Sequence, residues 1–223
     1  MDPGTNDIAA LTISNSGGTT VTIQNNGLNL GTGDFTISAN AEIDFSDLSH
    51  ALASENVNID ATGSWILENV GSSATINFDQ NGGQSIPNID EGNANVTGKP
   101  SIIFSSAGYK TLSGNIVVND LTVGANVYLD VNNTNNYQIT VNGNWDNLGG
   151  EFIPRDGEVI FNSDDTNSKT IEPNGENFTT LTFQGSTIRT YSLLSDAVVT
   201  GSSSGIGLTL TSSTLDLNGN ILR

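Results

Sequence analysis

Paired carboxylates are the residues of this chain whose type and spacing could carry out chemistry. Two carboxyl groups that flank a glycosidic bond can act as general acid and as nucleophile or base, as in most glycoside hydrolases. The adjacent acids Asp90–Glu91 and Asp164–Asp165 lie in stretches rich in glycine and asparagine, where acids usually cap turns. With 24 acidic residues in the chain, adjacency by chance is expected. The acidic candidates are Asp44, Asp47, Asp90, Glu91, Asp164 and Asp165.

The other requirements of catalysis are not met by the sequence. A lyase site needs a basic residue beside its acids, and the six Lys and Arg residues form no cluster. His50 is the only histidine, and its neighbours Ala51 and Leu52 favour a surface or capping role. No Gly-x-Ser-x-Gly motif for a nucleophilic serine occurs. We therefore expect no catalytic residues, no cofactor-binding residues and no enzymatic activity.

Calcium is the one metal for which the sequence offers ligands. Two oxygen-rich loops, 130–133 and 162–165, could supply carboxylate and carbonyl oxygens, with Asp130, Asp164 and Asp165 as the candidate ligands. Neither the glycine-rich nonapeptide of calcium-binding β-rolls nor an EF-hand loop occurs, so these acids are isolated candidates. Sites built on histidine or cysteine are excluded by a single histidine and no cysteine.

Two tryptophans could stack on sugar rings or fill the core. Trp65 and Trp145 end two similar segments, Ile59–Trp65 and Ile139–Trp145, and stand at the same position in each. A tryptophan at a fixed position of a repeat fits a structural role better than a ligand platform. We therefore expect each tryptophan to fill the same pocket in its own copy of the repeat.

The elements that position these residues are short β-strands. Apolar and polar residues alternate, as in Leu121–Val123, which places the apolar side chains on one face. Clusters of Gly, Asn, Ser and Asp separate the strands and tolerate the left-handed backbone angles of turns. Leu48 and Leu52, with Ser46 as N-cap, predict one short helix or helical turn within Ser46–Asn56. The alternation also occurs at 11–13, 21–23, 28–30, 35–37, 76–78, 181–183, 208–210 and 215–217.

The chain also repeats itself. Equivalent strands recur about 20 residues apart, which is roughly the chain that one coil of a β-solenoid needs. A pair of apolar triplets near the start, Val21–Ile23 and Leu28–Leu30, resembles a pair near the end, Leu208–Leu210 and Leu215–Leu217. The step from the first triplet to the second is the same in both pairs.

The fold predicted from these patterns is an all-β, right-handed parallel β-helix, or β-solenoid. It forms a single segment over residues 1–223, with internal repeats at approximately 57–136 and 137–217 and a weaker repeat at 11–56. Its inward Leu, Ile, Val and Phe side chains are expected to stack in ladders from coil to coil. The alternative fold is two tandem β-sandwich domains of about 100 residues each.

Charge and hydropathy argue against nucleic acid and membranes as partners. The formal net charge is −18, and only six basic residues are present to displace counterions from a phosphate backbone. Nucleic acid and an anionic membrane surface are therefore disfavoured as partners on electrostatic grounds. No apolar run approaches the roughly 20 residues that span a bilayer, so direct membrane insertion is not expected.

Several motifs in the second half of the chain carry a family resemblance, which is best over roughly residues 137–223. They are Gly143–Trp145, Phe152, Glu158–Phe161, Lys169–Ile171, Phe178–Phe183 and Thr214–Gly219. Together they resemble the degenerate repeats of giant secreted surface proteins of Bacteroidetes-type bacteria. Such proteins carry adhesin-like or gliding-associated stalk regions, so the resemblance implies an extracellular or cell-surface location.

The function expected from this reasoning is that of a structural or adhesive repeat segment of an extracellular surface protein. It would act as a stiff stalk or filament-forming module without catalysis, with partners among other copies or neighbouring coils end to end, and among surface glycans. The alternative is a carbohydrate-binding or polysaccharide-degrading β-helix protein. The first four residues lack the features of a signal peptide, so we expect the sequence to be part of a larger secreted protein.

Overall fold

The computed structural model describes the second half of the chain almost continuously and the earlier part through its strands. Side chains are described at residues 78, 82–86, 89, 99–164, 166–185, 188–203 and 205–223. Before residue 78, the backbone is described for strands that begin at Leu11. No helix occurs among the described residues, so that part of the chain contains no helix able to cross a membrane.

Short strands follow one another along the whole described chain. The first nine are β1 (Leu11–Ile13), β2 (Thr20–Thr22), β3 (Leu28–Asn29), β4 (Asp34–Ile37), β5 (Glu42–Asp44), β6 (Ala51–Ser54), β7 (Asn56–Ile59), β8 (Ser64–Ile66) and β9 (Thr75–Phe78). The next eight are β10 (Gln84–Ile86), β11 (Ser101–Phe104), β12 (Gly108–Leu112), β13 (Ile116–Val118), β14 (Leu121–Val123), β15 (Val127–Asp130), β16 (Ile139–Val141) and β17 (Trp145–Asn147). The last nine are β18 (Glu151–Ile153), β19 (Glu158–Asn162), β20 (Lys169–Glu172), β21 (Asn177–Phe178), β22 (Thr180–Gln184), β23 (Thr190–Leu193), β24 (Val198–Val199), β25 (Leu208–Leu210) and β26 (Thr214–Asp216).

The strands form a cycle of three, in which each turn of chain contributes one strand to each of three faces. The first face contains the sheets β1-β4-β7, β10-β12-β15-β18 and β21-β24, and the second face contains β2-β5-β8 and β13-β16-β19-β22-β25. The third face is the nine-stranded sheet from β3 to β26. In the fourth turn the single bridge residue Ile89, paired with Ile116, stands in for a strand of the second face. The described strands therefore make nine stacked turns.

All described strand pairs are parallel, which confirms the predicted β-solenoid and excludes tandem β-sandwiches, whose sheets are antiparallel. Parallel neighbours need a long crossover connection, and here the other two strands of each turn supply it. The turns differ in length, since the one from Ile102 to Leu121 is several residues shorter than the one from Leu181 to Leu208. The spacing of about 20 residues expected from the sequence matches the shorter turns. It is also the lower limit of repeat length in stacked-repeat proteins.

The core is a set of inward-facing ladders that run from turn to turn, as predicted. On the second face, Val118, Val141, Phe161 and Phe183 occupy one position of successive turns, and each is fully buried. The rings of Phe161 and Phe183 stack with centroids 5.3 Å apart. Stacking of like side chains removes apolar surface from water at every turn, which is the main source of stability in such a repeat.

Asparagine occupies many of the corners. Five of the eight described non-glycine residues with positive φ are asparagines, including Asn126 with φ of 62° and Asn218 with φ of 50°. Asparagine tolerates this left-handed conformation because its short polar side chain hydrogen-bonds locally. The prediction that Asn- and Gly-rich clusters mark turns is therefore confirmed.

Two expectations about local structure are wrong. The predicted helix within Ser46–Asn56 is replaced by β6 and the start of β7, while residues 46–50 lie outside the described chain. The two tryptophans are not equivalent, because Trp65 pairs with Ile43 on the second face whereas Trp145 pairs with Leu121 on the third. The predicted burial of Trp145 is confirmed, since its side chain is fully buried.

Candidate functional site

An outward-facing row on the first face brings two tyrosines together. Tyr109 of β12 and Tyr128 of β15 are register partners on adjacent turns. Their rings stack with centroids 4.9 Å apart and planes 18° apart. The two residues are 51% and 37% exposed, so a large apolar surface with hydroxyl groups at its edge faces solvent.

The row continues on both sides without another large apolar side chain. The register places Glu151 of β18 beside Tyr128. On the other side, Gly83 lies opposite Tyr109, one residue before the Gln84–Lys110 pair. No described atom lies within 4 Å of the position that a Cβ at Gly83 would take. The ring face of Tyr109 that does not contact Tyr128 is therefore on the side of Gly83, which has no side chain to cover it.

A fixed ion pair lies on the same face, two residues along the strand from Tyr128. The guanidinium of Arg155 donates two hydrogen bonds to Asp130, from Nε to Oδ1 at 3.1 Å and from Nη2 to Oδ2 at 2.9 Å. The hydrogen bond from Arg155 holds the pKa of Asp130 below its usual range, and the same bond raises the pKa of Arg155. The backbone of Arg155 has a positive φ of 50°, so the pair fixes a residue in an uncommon conformation.

The carboxylates beyond the tyrosines make this part of the face acidic. Burial raises the pKa of Glu176, and repulsion from Glu151 is a further cause. Among the described residues, Glu151, Glu176 and Asp130 lie near one exposed cation, Arg155, because Lys110 of β12 is fully buried. The first face thus combines stacked rings, one oriented guanidinium and several carboxylates.

A second acidic row occurs on the third face, and its member Glu172 and the neighbouring Asp120 accept hydrogen bonds from backbone N–H groups. Asp146 and Glu172 are register partners, and the pKa of Asp146 is raised by burial and by repulsion from Asp120 and Glu172. Asp120 accepts a 2.7 Å hydrogen bond from the backbone N–H of Asn144, and Glu172 accepts one of 2.9 Å from that of Asn174. Among the described residues, no group of three or more histidine, cysteine, aspartate or glutamate side chains is arranged to hold a metal ion.

The structure separates the candidate calcium ligands that it describes. Asp130, on the first face, is bound to Arg155, while Asp164 follows β19 on the second face and lies 3.9 Å from Lys99 Nζ. Asp165 lies outside the described residues, as do the other acidic candidates except Asp44, whose backbone ends β5. His50 is outside the described residues as well. Nothing in the described chain brings the predicted acids together.

Sequence reasoning missed the tyrosine pair. Tyr109 and Tyr128 stand one short turn apart, at the same interval that separates the register partners Ile102 and Leu121. Tyr128 also stands between the buried Val127 and Leu129, and Tyr109 precedes the buried Lys110. Because this interval is close to a solenoid repeat of about 20 residues, it could have indicated that the two tyrosines are neighbours on successive turns.

No family model matches this chain, and no curated protein or solved structure matches it either. The resemblance to repeats of bacterial surface proteins stays a prediction.

Proposed function

We propose that this chain is a non-catalytic structural segment of an extracellular surface protein, a stiff stalk that extends by end-to-end stacking of coils. The observation that carries the proposal is the exposed apolar end of the stack. Because each turn contacts only its neighbours, a solenoid can be lengthened without change to its interior, and it needs no pocket to do its work.

The end of the stack exposes residues whose ladder partners are buried in the preceding turns that the structure describes. Leu208 and Leu210 of β25 are 40% and 45% exposed, whereas their register partners Leu181 and Phe183 are 2% and 0% exposed. β25 and β26 are also the last strands of their sheets, so their outer backbone edges have no described partner. An apolar edge of this kind favours pairing with a further strand.

A further coil of the same kind fits this end, and the first turn of a second copy supplies one. β2 and β3 lie at the opposite ends of the same two faces to which β25 and β26 belong. The apolar triplets of 21–23 and 28–30 match those of 208–210 and 215–217, with the same step between the triplets of each pair. A second copy in the same polarity would add further apolar residues to both faces, and such a head-to-tail contact builds filaments rather than closed dimers.

We expect the protein to associate in a concentration-dependent way, and the double variant Leu208→Lys with Leu210→Lys to associate roughly 10–100-fold more weakly. Association of the variant loses part of the roughly 1.5–3 kcal/mol that full burial of each leucine provides. It must also desolvate the two added lysine charges. Analytical ultracentrifugation over a range of protein concentrations measures the effect. Added salt should strengthen association, because copies of net charge −18 repel one another.

Leu148→Lys is the matched control, since Leu148 is 63% exposed at a corner in the middle of the stack. This variant should associate like the unchanged protein. A strictly monomeric protein at high concentration would contradict the proposal. So would a double variant that associates as well as the Leu148→Lys control.

A further inference from the structure

We propose that the outward face formed by Tyr109, Tyr128, Glu151 and Arg155 binds neutral oligosaccharides. This inference goes beyond the structural role proposed above and does not depend on association of the ends. It is carried by one juxtaposition, an exposed pair of stacked aromatic rings beside oriented hydrogen-bonding groups on one sheet face.

The aromatic part of the site suits a sugar ring. One face of a pyranose carries C–H groups that pack against an aromatic ring, while its hydroxyl groups remain at the edge. Tyr128 covers one face of the Tyr109 ring, and the other face is on the side of Gly83, which has no side chain. Because the two rings hold each other in place, little side-chain freedom remains to be lost on binding.

The polar part of the site supplies directional hydrogen bonds. Arg155 keeps 41% of its side chain exposed although Asp130 fixes its guanidinium, so its remaining N–H groups are oriented donors. Glu151 is exposed next to Tyr128 and provides acceptor oxygens for hydroxyl groups. A few placed donors and acceptors beside an apolar platform are the usual composition of a small-molecule site.

The charge of this face selects among ligands that stack on aromatic rings. The exposed charges here are Glu151, Glu176, Asp130 and Arg155, while Lys110 is fully buried, and the whole chain carries a net charge of −18. Uronic-acid polymers and single-stranded nucleic acids would meet like-charge repulsion here, although both contain rings able to stack. A neutral sugar chain makes the same contacts without that repulsion.

Calorimetric titration of the full chain with cellohexaose, chitohexaose and hexagalacturonate tests the site. We expect at least one of the two neutral hexasaccharides to bind, and hexagalacturonate to bind about tenfold more weakly or not at all. Tyr109→Ala should weaken binding of that neutral sugar by at least about tenfold, whereas Tyr109→Phe, which keeps the ring, should stay within about threefold.

Leu148→Ala, which removes an exposed apolar side chain elsewhere, should leave the affinity unchanged. Tyr128→Ala provides a second test if circular dichroism shows that Tyr109→Ala does not fold. The inference is overturned if neither neutral hexasaccharide binds, or if folded alanine variants at the tyrosines bind like the unchanged protein. A monomeric chain that binds cellohexaose would contradict only the end-to-end stacking proposed above.

Discussion

Replacement of Trp145 by alanine is expected to destabilise the solenoid by about 3–5 kcal/mol, the range for truncation of large buried aromatic residues. The side chain is fully buried and lies edge-on to Phe152 and Phe178, with ring centroids 5.0 and 5.5 Å away. Phe152 belongs to β18 and Phe178 to β21, so the indole joins the third face to two successive turns of the first. A cavity at this point would remove contacts across the width of the stack.

Urea denaturation followed by circular dichroism measures this loss. Leu148→Ala is the control, because Leu148 lies close by in the chain and is 63% exposed, and we expect it to change stability by less than about 0.5 kcal/mol. Trp145→Phe should lie between the two, since it keeps a ring and removes an indole N–H that has no hydrogen-bond acceptor among the described residues. A Trp145→Ala protein as stable as the Leu148→Ala control would show that the indole is not part of a shared core.

The second large effect is expected from Gly108→Ala, which should destabilise the protein by about 2–6 kcal/mol, the sum of a backbone strain and an overpacking cost. Gly108 has a φ of +132°, which a residue with a Cβ adopts at a cost of about 1–3 kcal/mol. A Cβ there would also lie 2.2 Å from the carbonyl oxygen of Gly82 in the preceding turn. Because that atom is backbone, relief requires the two turns to move apart, and such overpacking costs a further ~1–3 kcal/mol.

Gly83→Ala is the matched control for this substitution. Gly83 lies in the adjoining turn, outside the left-handed region, and no described atom is within 4 Å of its added Cβ. We expect no loss of stability, or a gain of about 0.4–1 kcal/mol from a less flexible unfolded chain. Thermal unfolding of both variants provides the comparison. Equal midpoints for the two would contradict close stacking of the turns at this corner.

The class of fold could be predicted from the sequence because it depends on local patterns. Alternation in segments such as Leu121–Val123, with asparagine and glycine between them, specifies short strands and left-handed corners without knowledge of their neighbours. The face on which each strand lies could not be predicted in this way. All three faces require the same alternation, so the pattern does not distinguish one face from another. The similar segments that end in Trp65 and Trp145 in fact belong to different faces.

The candidate site depended on register, which the irregular turn length conceals. Tyr109 and Tyr128 become neighbours only when the length of the turn between them is known. The buried position of Lys110 in the core could not be predicted from the sequence either. Lys110 is fully buried at an inward position and donates a 3.1 Å hydrogen bond to Gln84, its register partner, although a lysine in a strand normally indicates the solvent side.

The stacking of parallel turns in register is the claim on which the core, the tyrosine pair and the exposed end all depend. Disulfide formation between introduced cysteines tests it directly, since the chain has no cysteine of its own. Thr122 and Asp146 are register partners on neighbouring turns of the third face, and Glu172 follows one turn later. Adjacent strands are about 4.8 Å apart, and two turns about twice that.

A disulfide needs Cα atoms roughly 4.4–6.8 Å apart. We therefore predict that Thr122→Cys with Asp146→Cys forms an intramolecular disulfide under mild oxidation, while Thr122→Cys with Glu172→Cys does not. Absence of the first disulfide, or equally rapid formation of the second, would contradict the stacked solenoid.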